Sequence, residues 1–194
     1  TQLLAEPGGD GRARAATAGA RAQPRAPDPA PAAAGDDPAP AGAADRPPGA
    51  EPLELRALRG LAGLVESVGG ALWMQGDDHG YTCVARMSFH ADTPTMPSDT
   101  PLAAFLRETQ WVVSLPEWRE HPERYRGLPM PPAITSAPDN WLVVPLMLHD
   151  DLLGFAVLTR PIAPAVVNWE VRDALKAAAR QVASYLGVRR AVES

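Results

Sequence analysis

The first 50 residues limit what the remainder of this chain can become. They hold 17 Ala, 9 Pro and 7 Gly, with no aromatic residue, no Val and no Ile. Such a stretch offers too little side-chain area to offset the cost of ordering its backbone. In Ala26-Pro27-Asp28-Pro29-Ala30-Pro31 and Pro38-Ala39-Pro40, proline's fixed φ and missing N–H favour extended, solvated chain. Residues 1–50 are therefore expected to form a disordered linker, either low-complexity filler or a target for a proline-reading adaptor. All five Trp, all three Tyr, all three Phe and all five Met fall beyond it. That leaves one domain, residues 51–190, of about 140 residues, an ordinary size for a single hydrophobic core.

Charge and cysteine usage narrow the function classes. The net charge of -5 divides into -1 for the first 50 residues and -4 for the rest. Neither part has the basic excess that nucleic acid or an anionic membrane requires, so no nucleic-acid partner is expected. Cys83, the single cysteine, excludes an intramolecular disulfide and any zinc site built on paired cysteines, and makes a reducing, cytoplasmic setting the expectation. No run reaches the roughly 18 to 20 apolar residues of a membrane span, and no signal peptide is recognisable. The chain opens on Thr1 and is expected to be a piece of a longer one.

Periodicity gives the elements. Leu55, Leu58, Leu61 or Ala62, and Val65 recur at helical spacing after Pro52, with Gly69-Gly70 expected to stop the pattern. Residues 71–74 and 81–87 read as two strands around a turn rich in Gly and Asp. Ser98 or Asp99 is placed to cap a short helix over 101–108, and 111–113 reads as a short strand. Six prolines divide residues 114–140 into short pieces, one of them helical around 117–125. Strands over 141–148 and 152–159 form a second hairpin, with Pro145 expected at a bulge or with its imide side turned from a neighbouring strand. Asn168 should cap a long helix from Trp169 to about Val188. The order predicts an α+β fold, an antiparallel sheet with the first and terminal helices on one face and the irregular insert on the other.

Catalytic signatures are sparse. Neither G-x-x-x-x-G-K-[ST] nor G-x-G-x-x-G occurs, so no phosphate-cradling loop is offered. His79, His90, His121 and His149 contain no i, i+4 pair and read as surface histidines in turns and loops, so no metal site is expected. Cys83 in a strand reads as a small buried hydrophobe. Asp77-Asp78 and Asp150-Asp151 fit turn hydrogen bonding better than acid–base catalysis. No catalytic residue and no cofactor is assigned. The aromatic set Trp111, Trp118, Tyr125 and Trp141 is the candidate lining of a small-molecule pocket over the insert face, or simply the filling of that face.

Two stretches resemble the GAF domain family of small-molecule-sensing modules. One is Leu142-Val143-Val144-Pro145-Leu146 followed by Leu153-Gly154-Phe155-Ala156-Val157-Leu158; the other is Glu170-x-x-Asp173-x-Leu175-x-x-x-Ala179-x-Gln181-x-Ala183. More narrowly, several stretches are similar to the GAF region of PrsK-type sensor histidine kinases of PEP-CTERM/exosortase systems. These are Val65-Glu66-Ser67, Gly69-Gly70-Ala71-Leu72-Trp73, Trp111-Val112-Val113, Glu117-Trp118-Arg119, Pro122-Glu123-Arg124-Tyr125 and Asn168-Trp169-Glu170. The chain lacks the N-K-x-F-D-E constellation of cyclic-nucleotide-binding members and the Cys-His pair that anchors bilin in phytochromes.

The resemblance implies a non-catalytic sensory domain in a kinase anchored in the inner membrane. An unidentified small molecule would be its signal, and a kinase core beyond Ser194 would address a response regulator. A ligand-free dimerisation spacer and a free-standing GAF-fold enzyme are the alternatives; the enzyme chemistry needs several cysteines, and one is present. Val171, Leu175, Ala178, Val182 and Tyr185 follow a coiled-coil period. The resemblance implies a parallel homodimer through this helix.

Overall fold

The computed structural model describes residues 49–193, so the expected linker, apart from its last two residues, lies outside the described residues. The first helix, α1 (Leu53–Leu64), buries Leu58, Leu61 and Ala62 on one side, as their spacing requires. It ends earlier than Gly69-Gly70: Glu66 takes a left-handed φ of 54°, and Gly70 instead opens β1 (Gly70–Gln75). A turn leads to β2 (Tyr81–Met87), then α2 (Pro101–Thr109), β3 (Val113–Ser114), α3 (Leu115–Glu120), a 3₁₀ turn (Pro122–Tyr125) and α4 (Pro132–Thr135). The long hairpin β4 (Asn140–Leu148) and β5 (Asp151–Thr159) follows, and α5 (Trp169–Glu193) completes the domain.

Two local expectations change. The cap of α2 is Thr100, whose hydroxyl accepts from the Ala103 N–H at 3.3 Å, rather than Ser98 or Asp99: Pro101 occupies the first turn, and the residue immediately before it holds the extended backbone of a cap. The predicted 111–113 strand shrinks to Val113–Ser114, because Gln110 ends α2 in the left-handed region and Trp111 remains in the connection. Asn168 does cap α5, its Oδ1 accepting from the Val171 N–H at 2.9 Å.

The sheet runs β2-β1-β5-β4-β3, and every neighbouring pair is antiparallel. Pro145 pairs in register with Phe155, beyond the end of β3, which opposes only Leu142 and Val143. Its missing donor therefore leaves the β3–β4 ladder intact.

The expected division of faces is present. On one face Leu72, Val144, Ala156 and Leu158 pack with Leu58 and Leu61 of α1 and with Leu175, Ala179, Ala183 and Leu186 of α5. On the other, Trp73, Val143, Phe155 and Val157 pack with Leu102 and Leu106 of α2, Leu115, Tyr125, Leu128 and Ile134. Each large apolar side chain so buried contributes roughly 1.5–3 kcal/mol. Trp73 stacks on Phe155 at 5.3 Å and donates its indole N–H to the Pro94 carbonyl at 3.1 Å. Gly154 lets β5 approach β1: a Cβ there would collide with the Trp73 carbonyl oxygen.

Candidate functional site

An ionisable group with three side-chain hydrogen-bond partners is built from the start of α3. Ser114 caps that helix, its hydroxyl accepting from the Glu117 N–H at 3.4 Å, and so fixes Glu117 in the first turn. Glu117 Oε2 accepts from the Tyr125 hydroxyl at 2.7 Å and from Arg172, while Oε1 accepts from Arg124 at 2.8 Å. Tyr125 Oη in turn accepts from the Ser114 N–H at 3.2 Å. Arg172, on the first turns of α5, also donates to the Val112 carbonyl at 3.1 Å. One carboxylate thus ties α3 and the 3₁₀ turn to the terminal helix.

The charge of that carboxylate is held firmly. Partial burial alone would raise its pKa, but hydrogen bonds from Tyr125, Arg124 and Arg172 bring it down to about 2. Burial and the bond to Glu117 push the Tyr125 hydroxyl above its ordinary range. Arg172 loses hydration, yet Tyr125 and Glu117 outweigh that loss and raise it further. Glu117 is therefore ionised at neutral pH and serves as a structural anchor.

Beside this network opens a cleft of about 580 Å³, between α3, the end of β5 and the loop that leads to α5. Trp141, Pro116, Pro161 and Pro164 supply its apolar lining. Arg160 and Glu120 also line it, and neither side chain makes an ion pair or hydrogen bond to another described residue.

The four aromatic candidates are distributed differently from the sequence expectation. Trp118 donates its indole N–H to the Leu128 carbonyl at 2.8 Å and packs on the insert-side core beside buried Tyr125. Trp141 sits on the opposite face, with the helices. Simple alternation from Val143 would put it on the insert face, but the register shifts between Asn140 and Leu142, and this bulge turns Trp141 to the helix side. Trp111 is 44% exposed, stands edge-on to Phe105, and lines a separate shallow groove with Trp169. The four do not surround one cavity.

The helix candidates divide as well. Leu175 is buried in its own domain; Val171, Ala178 and Val182 are half-buried against the same core, and Tyr185 is 65% exposed. The inward stripe is Leu175, Ala179, Ala183 and Leu186. Ala174, Ala178, Gln181, Tyr185, Val188 and Val192 form a second stripe, spaced alternately by four and three residues, and all of them but half-buried Ala178 are exposed. Sequence reasoning missed the role of Glu117 and Arg172, which are 55 residues apart, and no local pattern joins them.

Among solved structures the chain is similar to the GAF domain of a phosphoenolpyruvate-protein phosphotransferase from Coxiella burnetii, with 18% identity and a TM-score of 0.55 over 75% of this chain and 88% of that one. It is similar also to a segment of a methyl-accepting chemotaxis protein, with 16% identity and a TM-score of 0.54 over 72% and 90%. A third is the GAF domain/HD domain protein from Geobacter sulfurreducens, with 13% identity and a TM-score of 0.53 over 70% and 90%.

The chain has the GAF fold. At these identities the likeness is one of fold. No family model matches the chain, and no curated protein matches it. Among the described residues no helix is long and apolar enough to cross a membrane.

Proposed function

We propose that this GAF-fold domain is the sensory module of a PrsK-type two-component histidine kinase. In this reading it lies on the cytoplasmic side of a parent protein anchored in the inner membrane and works as a parallel homodimer. A small molecule is its signal, and the parent's kinase core passes phosphate to a response regulator. The domain itself performs no chemistry.

The observation that supports this reading best is the form of α5. It runs 25 residues, its last buried residue is Leu186, and Tyr185, Val188 and Val192 lie on its outer stripe. A stripe at the four–three period suits a second helix of the same kind. Arg172, at the other end of this helix, is held by Glu117, so a change at α3 has a direct route to the output element. Such a change alters the kinase only if the ligand binds one arrangement more tightly than the other.

The test is the gene itself. The account expects membrane-spanning segments upstream and, downstream, a histidine-bearing helix followed by an ATP-binding domain; a stop codon directly after Ser194 would end it. A second reading, a dimerising spacer without a ligand, draws support from the close packing of Trp118 and Tyr125 into the insert-side core. A dimer whose kinase activity answers to no metabolite would favour the spacer.

A further inference from the structure

We infer that a single buried water molecule binds between Asn140 and Thr159 on the insert face of the sheet, where it completes the polar joint that holds α4 to the β4–β5 hairpin. Asn140 opens β4 and Thr159 closes β5, and the two are paired in register. Residues directly opposite each other in an antiparallel ladder share a face, with Cβ atoms about 4.5–5.5 Å apart. That face is the insert side. Val157, two residues before Thr159 on the same strand, packs there, and the Asn140 side-chain amide donates to the carbonyl of Ile134, in α4, at 2.8 Å.

Both residues are sealed from solvent, Asn140 at 0% and Thr159 at 1% exposure. Their backbone N–H groups are paired, Asn140 with the Ala137 carbonyl and Thr159 with the Gly69 carbonyl. Asn140 Oδ1 and Thr159 Oγ1, however, are buried without a hydrogen-bond partner among the described residues. One buried polar atom left unpaired is costly and uncommon in a native fold; here two stand on opposite strands of one rung. They are also complementary. Asn140 Oδ1 only accepts, whereas the Thr159 hydroxyl has a proton to donate. A water between them accepts from the hydroxyl and donates to the amide oxygen, so that each atom gains its partner. An anion would meet the lone pairs of Asn140 Oδ1, and a hard metal cation takes about six oxygen ligands where these side chains offer two. Asn140 then reaches α4 directly and β5 through the water, which makes a polar joint in a face that is otherwise apolar. The binding claim is independent of the kinase reading and stands or falls without it.

Oxygen-17 relaxation dispersion of the 194-residue chain, which counts long-lived internal waters and is blind to exchanging hydroxyl protons, tests it together with urea unfolding. Thr159→Val keeps the shape of the side chain and removes the hydroxyl, while Thr159→Ser keeps the hydroxyl. The Val variant is expected to hold one long-lived water fewer than the parent, and the Ser variant the same number as the parent. The Val variant should also raise the unfolding equilibrium constant by about fivefold or more, because the bridge to Asn140 is broken. Were the hydroxyl simply unpaired, its replacement by a methyl would remove a burial penalty and make the variant more stable than the parent. A parent with no long-lived water, an equal count in the parent and the Val variant, loss of the water in the Ser variant, or a Val variant at least as stable as the parent would overturn the proposal.

Discussion

Replacing Glu117 by Gln keeps the shape of the side chain and removes the charge on which Tyr125, Arg124 and Arg172 converge. A carboxyl that titrates at about 2 when folded, against its ordinary 4.5, would correspond to roughly 3 kcal/mol if it were fully shielded. Its side chain keeps 25% of its surface in water, and solvent screening lowers that to about 1–2 kcal/mol. Arg172, with 28% exposure, is then left half-buried without its counter-charge, so the whole effect is about 2 kcal/mol, or a melting point lower by about 4–8 °C for a domain of this size.

The pH dependence carries the sign. The folded carboxyl binds its proton more weakly than the unfolded one, so the unfolded chain is protonated first as pH falls. The stabilisation is complete above the ordinary value of 4.5 and is lost as pH falls toward about 2. Urea unfolding of parent and variant, followed by tryptophan fluorescence, should show a gap of about 2 kcal/mol near pH 7 that shrinks by more than half near pH 3. The same gap at both pH values, or no gap near neutrality, would refute the electrostatic account of this anchor.

The sheet was legible because its strands carry local signals. Residues 81–87 and 152–159 combine β-branched and aromatic side chains with clear turns on either side, and α5 has both a cap at Asn168 and an inward stripe. The site was not legible, for two physical reasons. The bulge at Trp141 inverts the face that alternation assigns to it, and nothing in a single strand's sequence marks a bulge that depends on its neighbour's register. The Glu117–Arg172 pair joins residues that only the folded chain brings together. The helix candidates Val171, Leu175, Ala178, Val182 and Tyr185 run between the inward and outward stripes, because a helix that is apolar on two sides offers more than one four–three path.

Two further substitutions probe the packing. Gly154→Ala should destabilise the domain by about 2–3 kcal/mol, since the added methyl meets the Trp73 backbone rather than a side chain that could swing away; a denaturation midpoint unchanged from the parent would show that β1 and β5 can part more easily than their pairing implies. Leu175→Ala should cost about 2–4 kcal/mol, because the side chain is fully buried between α5 and the sheet, whereas Tyr185→Ala on the outer stripe should change monomer stability by under about 0.5 kcal/mol. Equal losses at the two positions, read by urea unfolding, would contradict the assignment of inner and outer stripes.

The central claim is that α5 carries the output through a second copy of itself. Sedimentation velocity tests it on the 194-residue chain and on the same chain extended through the helix that follows it in the gene. The account predicts weak association of the shorter chain and markedly tighter association of the longer one, abolished by Tyr185→Glu together with Val188→Glu, two exposed positions on the outer stripe. Strictly monomeric behaviour of both chains up to high concentration would contradict it.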